Sequence, residues 1–258
     1  MPACIWMRKD NPMNFLSSKK LKQRSRGQLL GKYKTTVLSY LFIQSTLFVI
    51  LQFAATNTAN TAAGMILYFA IYFIVTLFSG IFTFGQCHLY LRIAREDTCS
   101  LNDTWYGFKN YPDKAIGIQC ILCIIGLISG IPFFVCYNLF LTTKDTLYII
   151  PFILTLILFA ILTTLFYLMF SQSFYLLRDH PDWKVGKILK ESTRLMKGHK
   201  LRLLYLNVSF LGLQFLGILT MGIGLLWVTP YMYMAKTNFY ENLTGKLEHE
   251  SSSVDVIV

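Results

Sequence analysis

Residues 147–170 read LYIIPFILTLILFAILTTLFYLMF and contain no charged side chain. A helix of roughly 20 apolar residues is long enough to cross the hydrocarbon core of a bilayer, which is about 30 Å thick. Because lipid cannot satisfy exposed backbone N–H and C=O groups, such a stretch must be helical or buried in protein. The stretch therefore predicts a membrane-spanning helix.

Other apolar stretches of similar length occur along the chain. Hydrophobic residues make up 54% and charged residues only 14% of the 258 residues, which is typical of a protein whose main solvent is lipid. We predict an all-α, polytopic transmembrane helical bundle of about six spans, at residues 35–55, 64–91, 115–141, 147–177, 201–221 and 223–240. The number falls to five if Gly222 and Gly224 only kink one longer helix instead of turning the chain.

The positive charges lie on one side of this predicted bundle. All but one of the 24 Lys and Arg residues fall in segments on the same side as the N-terminus, and the exception is Lys144. Short loops rich in Lys and Arg mark the cytoplasmic side. We therefore predict a basic cytoplasmic segment at 1–34, a single membrane domain at 35–240 and a polar cytoplasmic tail at 241–258.

The sequence also gives expectations for the N-terminal segment, the outer loops and the cysteines. About 34 basic residues precede the first apolar run, which is too many for a cleaved signal peptide, so we expect this segment to remain as an anchor. The outer loops, near residues 56–63, 142–146 and 222–224, are short and almost uncharged. All six cysteines fall in predicted spans or cytoplasmic segments, where disulfides are not expected.

The chain contains signs of an internal repeat. The stretches Phe84–Arg92 and Phe170–Arg178 share Phe, Gln, Leu and Arg in register, and each closes a predicted hairpin of two spans. Basic turns near 30–34, 108–114 and 196–200 each precede an apolar run. We infer three tandem units, each a cytoplasmic interfacial segment followed by a two-span hairpin. Chance similarity between apolar sequences is the alternative.

The third interfacial segment, Trp183 to Lys197, has the pattern of an amphipathic helix, with Asp182 as its N-cap and Gly198 as its C-terminal break. We predict short amphipathic helices of this kind on the cytoplasmic side of the membrane, and this one to lie on the membrane surface. Its apolar side consists of Val185, Ile188, Leu189, Ser192, Leu195 and Met196. Its cationic side consists of Lys184, Lys187, Lys190, Arg194 and Lys197.

These five cations are candidate contacts for anionic inner-leaflet headgroups or for a cytoplasmic protein partner. The alternative is that they only determine topology. A weaker copy of the pattern places Leu101, Trp105 and Phe108 behind a capping pair of Ser100 and Asp103.

Gly126 and Gly130 form the small-residue spacing that lets two membrane helices approach closely. We expect them to pack the third span against its own bundle, and the alternative is a contact between protomers.

Several motifs resemble a known family. They are LMKGHK at 195–200, LNVSF at 206–210, TMGIGLLW at 220–227, NFY at 238–240 and SKKLK at 18–22. Together they are similar to the uncharacterised bacterial integral membrane family catalogued as domain of unknown function 975, over roughly residues 14–243. The resemblance implies a multi-pass protein of the bacterial cytoplasmic membrane, and it implies no activity or catalytic residue.

Two classes of function remain. The loops contain no complete catalytic or metal constellation, so we expect no enzyme and no cofactor, and the net charge of +11 follows from topology without nucleic acid. The first class is a non-enzymatic lipid- or partner-binding membrane module. The alternative is a transporter or channel for a small neutral or lipid-like solute, lined by uncharged polar residues of the spans. These residues are Gln44, Gln52, Gln119, Asn138, Gln172, Asn207 and Gln214.

Overall fold

A computed structural model describes residues 15–58, 61–96, 98–143 and 149–247. The described residues form helices and no strand, which confirms the all-α prediction. The helices are α1 (Ser18–Leu29), α2 (Tyr33–Thr58), α3 (Ala62–Glu96), a 3₁₀ helix (Leu101–Trp105), α4 (Tyr106–Lys109), α5 (Pro112–Thr143), α6 (Ile149–Phe170), α7 (Ser173–Asp179), α8 (Val185–Leu195), α9 (Lys200–Val208), α10 (Leu211–Leu219) and α11 (Leu225–Leu243).

Five helical segments of the described chain are long and apolar enough to cross a membrane. They are Tyr33–Thr58, Ala63–Glu96, Pro112–Thr142, Ile149–Asp179 and Lys200–Leu219. The segment that corresponds to the sixth predicted span is α11, which is not in this set. Its second half is polar and includes Thr237, Asn238 and Glu241, which lowers its mean hydropathy.

The glycines between α10 and α11 turn the chain and do not kink one longer helix. Met221 and Gly222 have φ angles of 56° and 86°, in the left-handed region that reverses the chain direction. The two helices pack closely at Gly217, where an added Cβ would lie only 2.8 Å from Leu225 Cδ2. Helix α11 therefore runs back along α10 as the second arm of a hairpin.

The chain divides into two compact units. The first consists of the described residues of Met1–Phe42, Gln86–Thr104 and Leu201–Val258. The second consists of the described residues of Ile43–Gly85 and Trp105–Lys200.

In each unit the buried core lies at the ends of long helices. In the first unit, Leu89, Tyr90 and Ile93 of α3 pack with Leu29 of α1 and Met234 of α11. In the second unit, the buried residues include the run Phe174–Leu177 of α7. The most apolar windows of the five candidate spans are at most 22% buried. The sides of the spans are therefore left for lipid, as expected where hydrocarbon is the solvent.

Helices α1 and α8 share one frame, which means that their buried residues occur at the same spacing before a left-handed glycine. This supports the predicted repeat. In α1, Leu21, Ser25 and Leu29 are fully buried, and in α8 and the turn after it Ile188, Ser192 and Met196 are fully buried at the same spacing. Both helices lead into a candidate span through a left-handed glycine, Gly31 with φ 79° and Gly198 with φ 84°. These equivalent pairs are all 167 positions apart, a constant offset that favours one repeating pattern over chance similarity.

The middle interfacial segment follows a related plan. The backbone N–H of Ser100 donates to Asp103 Oδ2 at 2.8 Å, which confirms the predicted capping pair. Asp103 also accepts a hydrogen bond from Arg92 of α3, in the same unit. The segment then turns through Tyr111, with φ 55°, into α5. All three interfacial segments thus end at a left-handed residue just before a candidate span.

Candidate functional site: the cationic face of helix α8

The apolar side of α8 packs against protein. Ser192 Oγ donates to the Met169 carbonyl at the end of α6 at 2.9 Å, and a Cβ added at Gly117 of α5 would lie 3.2 Å from Val185 Cγ2. Ile188 is fully buried in the same contact region. The sequence pattern predicts that this side rests on the membrane, and the structure corrects that expectation. The two faces of the helix are present as predicted, but other helices of the second unit cover the apolar one.

The cationic side of α8 faces outward. The five predicted residues Lys184, Lys187, Lys190, Arg194 and Lys197 are all exposed. Among the described residues, Lys184, Lys190 and Lys197 have no side-chain hydrogen-bond or ion-pair partner. Arg194 lies 3.7 Å from Glu191, with 62% of its own side chain exposed, so that ion pair contributes little. The structure therefore brings the predicted cations together on one open surface.

The start of α8 is fixed by an aromatic stack. The rings of His180 and Trp183 are parallel, with centroids 4.0 Å apart, and Lys187 Nζ lies 4.1 Å above the Trp183 ring. Lys114 Nζ donates to the Pro181 carbonyl and holds the same loop to α5. Because Trp183 belongs to this stacked loop, the helix begins at Val185 with Lys184 as its N-cap. The predicted N-cap at Asp182 was wrong.

The two glycines proposed for helix packing have different surroundings. A Cβ added at Gly130 would lie 3.4 Å from Phe159 Cε2 of α6 and 3.3 Å from Phe134 of its own helix. A Cβ added at Gly126 would meet nothing within 4 Å. Only Gly130 therefore faces a neighbouring helix within the described chain. A closer approach to α5 than the one at Gly130 occurs at Gly80 of α3, where a Cβ would lie 2.6 Å from Gln119 Cβ.

The uncharged polar residues of the spans differ in exposure. Gln44, Gln52 and Asn138 are exposed, and of the seven predicted residues only Gln172 is buried. Gln214 Nε2 lies 3.0 Å from Met232 Sδ in the α10–α11 hairpin. Gln119 and Asn207 are half-buried.

Sequence reasoning missed a polar network in the first unit. Glu241 Oε1 accepts hydrogen bonds from Arg95 Nε at 3.0 Å and Nη2 at 2.6 Å. Asn238 Nδ2 donates to Ser25 Oγ at 2.8 Å, and Arg202 donates to Asn242 Oδ1. The available signal was the run TNFYEN at 237–242, which is polar in an otherwise apolar helix. This network ties α1, α3 and α9 to the end of α11.

The described residues offer no metal centre. No three His, Cys, Asp or Glu side chains among residues 15–58, 61–96, 98–143 and 149–247 are close enough to hold a metal ion together. Cys120 and Cys123 are free thiols on α5, and both are half-buried.

Comparison with known proteins gives one match. The family described as protein of unknown function, DUF975, matches residues 13–247. No curated protein and no solved structure matches the chain. The match covers most of the chain, including both units and every helix named above. The chain is therefore a member of the DUF975 family of proteins of unknown function.

Proposed function

We propose that this protein is a non-enzymatic, multi-pass protein of the bacterial cytoplasmic membrane that binds anionic lipid headgroups through the cationic face of α8. One observation supports this most strongly. All five cations of the face are exposed, while the opposite side of the same helix is fixed to α5 and α6 by buried contacts. Contacts with α5 and α6 thus hold the helix, and its charged side chains point away from those contacts.

This arrangement suits binding to an anionic surface. Each Lys or Arg near an anionic leaflet contributes about 1 kcal/mol, and the contributions of several cations add at one surface. Because α8 is already folded and packed, binding does not have to order the helix, which lowers the entropic cost. Lys184, Lys190 and Lys197 have no competing carboxylate among the described residues. Their charge remains available to a phosphate group.

The position of α8 in the chain favours lipid over a soluble protein as the partner. Helix α8 lies between α7, at the end of one candidate span, and α9, at the start of the next. Its Ser192 contacts the last turn of α6 at Met169. The cations therefore lie within a few residues of the end of the candidate span Ile149–Asp179 and of the start of the next one at Lys200. Trp183 beside them is a residue type enriched at the membrane–water interface.

The test uses the full protein, because a peptide of α8 would expose Ile188 and Met196 and bind lipid through a face that is buried in the protein. The protein is placed in nanodiscs of phosphatidylcholine with a small fraction of phosphatidylglycerol. Lipids that remain bound are counted by native mass spectrometry. We expect phosphatidylglycerol to be several-fold enriched over its bulk fraction, with the enrichment falling as salt rises.

Two variants decide whether α8 is responsible. The Gln variant changes Lys184, Lys187, Lys190 and Lys197 to Gln and should lose most of the enrichment. The Arg variant changes the same residues to Arg, keeps the charge and should retain it. An enrichment that persists in the Gln variant would overturn the assignment to α8. A wild-type protein without enrichment would overturn lipid binding and direct the search to an acidic protein partner.

A further inference from the structure

The tip of the α10–α11 hairpin is strongly apolar and exposed. Met221 is 95% exposed and Ile223 is 60% exposed. The turn sequence LTMGIG at 219–224 contains no charged residue and one hydroxyl. The sequence of the predicted outer loop near residues 56–63 differs, because it reads TNTANT at 56–61 and is polar throughout apart from one alanine. A polar turn suits water outside the membrane, whereas the α10–α11 turn suits hydrocarbon.

Helix α1 crosses the base of this hairpin within the first unit. Lys22 Nζ donates to the Ser209 carbonyl at 2.7 Å and lies 4.2 Å above the Phe210 ring, where α9 gives way to α10. On the other arm, Tyr231 donates to the Lys22 carbonyl at 3.2 Å. Burial also lowers the pKa of the Lys22 amine. Helix α1 therefore contacts both arms of the hairpin, at Phe210 and at Tyr231, and these contacts define one depth relative to the membrane.

This level cannot lie deep in hydrocarbon. Helix α1 also carries Lys19, Lys20 and Arg26, which are all exposed. A charged side chain at the centre of a bilayer costs about 2.5–3.5 kcal/mol, and three exposed ones cannot all be hidden. Helix α1 must therefore lie no deeper than the headgroups. The candidate span Lys200–Leu219 begins with helix α9, from Lys200 to Val208. Helix α9 therefore lies between the start of that span and the contact of α1 at Phe210.

Only α10 and the first turns of α11 then extend into the hydrocarbon. Helix α10 has 9 residues, which corresponds to about 14 Å of rise, or half of the roughly 30 Å hydrocarbon core. The second unit supplies a comparison within the same chain. From Met169, which contacts α8, back to Ile149 at the far end of α6, the helix rises about 30 Å and can cross completely.

We propose that the α10–α11 hairpin enters the bilayer from the α1 side and ends inside it, with Met221 and Ile223 among the acyl chains of one leaflet. The hairpin does not cross the membrane. It displaces lipid in a single leaflet, and its surface binds acyl chains whatever the headgroup charge. This inference does not depend on the cationic face of α8, and it replaces the outer loop predicted at 222–224.

Cysteine accessibility tests the proposal. Met221→Cys removes almost no packing, because that side chain is 95% exposed. Asn57→Cys, at the exposed end of α2 in the predicted outer loop near residues 56–63, is the matched control for a position outside the membrane. Intact cells are treated with a membrane-impermeant maleimide, and the parent protein gives the background from native cysteines. We expect Asn57→Cys to label, and Met221→Cys to remain unlabelled both in intact cells and in inverted vesicles.

A nitroxide on Met221→Cys gives a second readout. Oxygen concentrates in the bilayer interior and a polar nickel complex concentrates in water, so the proposal requires high oxygen accessibility and low nickel accessibility. Labelling of Met221→Cys from outside at a rate near that of Asn57→Cys would overturn the proposal, and so would a nickel-accessible nitroxide. Neither result would affect the headgroup enrichment expected from α8, so the two proposals fail separately.

Discussion

At the scale of single residues, Glu241 joins distant parts of the first unit. Its carboxylate is 3% exposed, and it pairs with Arg95, whose side chain is 29% exposed. The two residues are 146 positions apart in the chain. Removing the negative charge leaves the guanidinium with a neutral acceptor in a partly buried site.

We therefore expect Glu241→Gln to lower the stability of the folded protein by roughly 1–3 kcal/mol. The matched control is Glu96→Gln, because Glu96 pairs with Arg92 but is 52% exposed, and an exposed pair contributes less than about 1 kcal/mol. Thermal unfolding of both variants in detergent measures the difference. Equal melting temperatures for the two variants would show that the buried pair has no special role.

Residue-level predictions succeeded where the signal was local. Ser100 and Asp103 are three positions apart, and the left-handed Gly198 lies three residues after Leu195, the last residue of α8, so propensity rules predicted both. The pair of Glu241 and Arg95 could not be predicted in this way. Any of several cations could have paired with Glu241, and only the packing of α11 beside α3 selects Arg95.

At the scale of single elements, α8 shows the limit of hydrophobic periodicity. The period predicted the helix and its two faces, because both depend only on spacing. It could not tell what would cover the apolar face, since lipid chains and buried leucines are equally apolar. The same limit applies to Gly126 and Gly130, whose spacing suggested close packing but did not identify a neighbour.

The surroundings of these glycines lead to a prediction for α5. Gly130→Leu should destabilise the protein by roughly 1–3 kcal/mol, because the new side chain would overlap Phe159 of α6. Gly126→Leu should leave the stability of the monomer unchanged, because there is open space at that position. Thermal unfolding in detergent checks both expectations, and size-exclusion chromatography with light scattering follows the oligomer. If Gly126→Leu destabilises the protein as much as Gly130→Leu, the packing described for α5 is wrong.

At the scale of the whole molecule, the repeat and the spans were the most predictable features. Apolar runs of roughly 20 residues are typical of membrane-spanning helices and uncommon in soluble domains. The described residues contain five helical segments that are long and apolar enough to cross a membrane. The related turns at Gly31 and Gly198 confirmed the frame shared by α1 and α8. The end of the chain was harder to predict. The polar half of α11 packs in the core of the first unit, so its sequence reflects protein neighbours and not lipid.

We expect the basic helices α1 and α8 to lie on one side of the membrane, where they can meet anionic headgroups. The direct measurement is the side from which single cysteines react with an impermeant maleimide. Lys20→Cys on α1 and Lys190→Cys on α8 replace exposed side chains, and Asn57→Cys marks the opposite side. We expect Lys20→Cys and Lys190→Cys to label only in inverted vesicles, and Asn57→Cys to label only in intact cells. Labelling of Lys190→Cys in intact cells would place α8 outside and contradict the account.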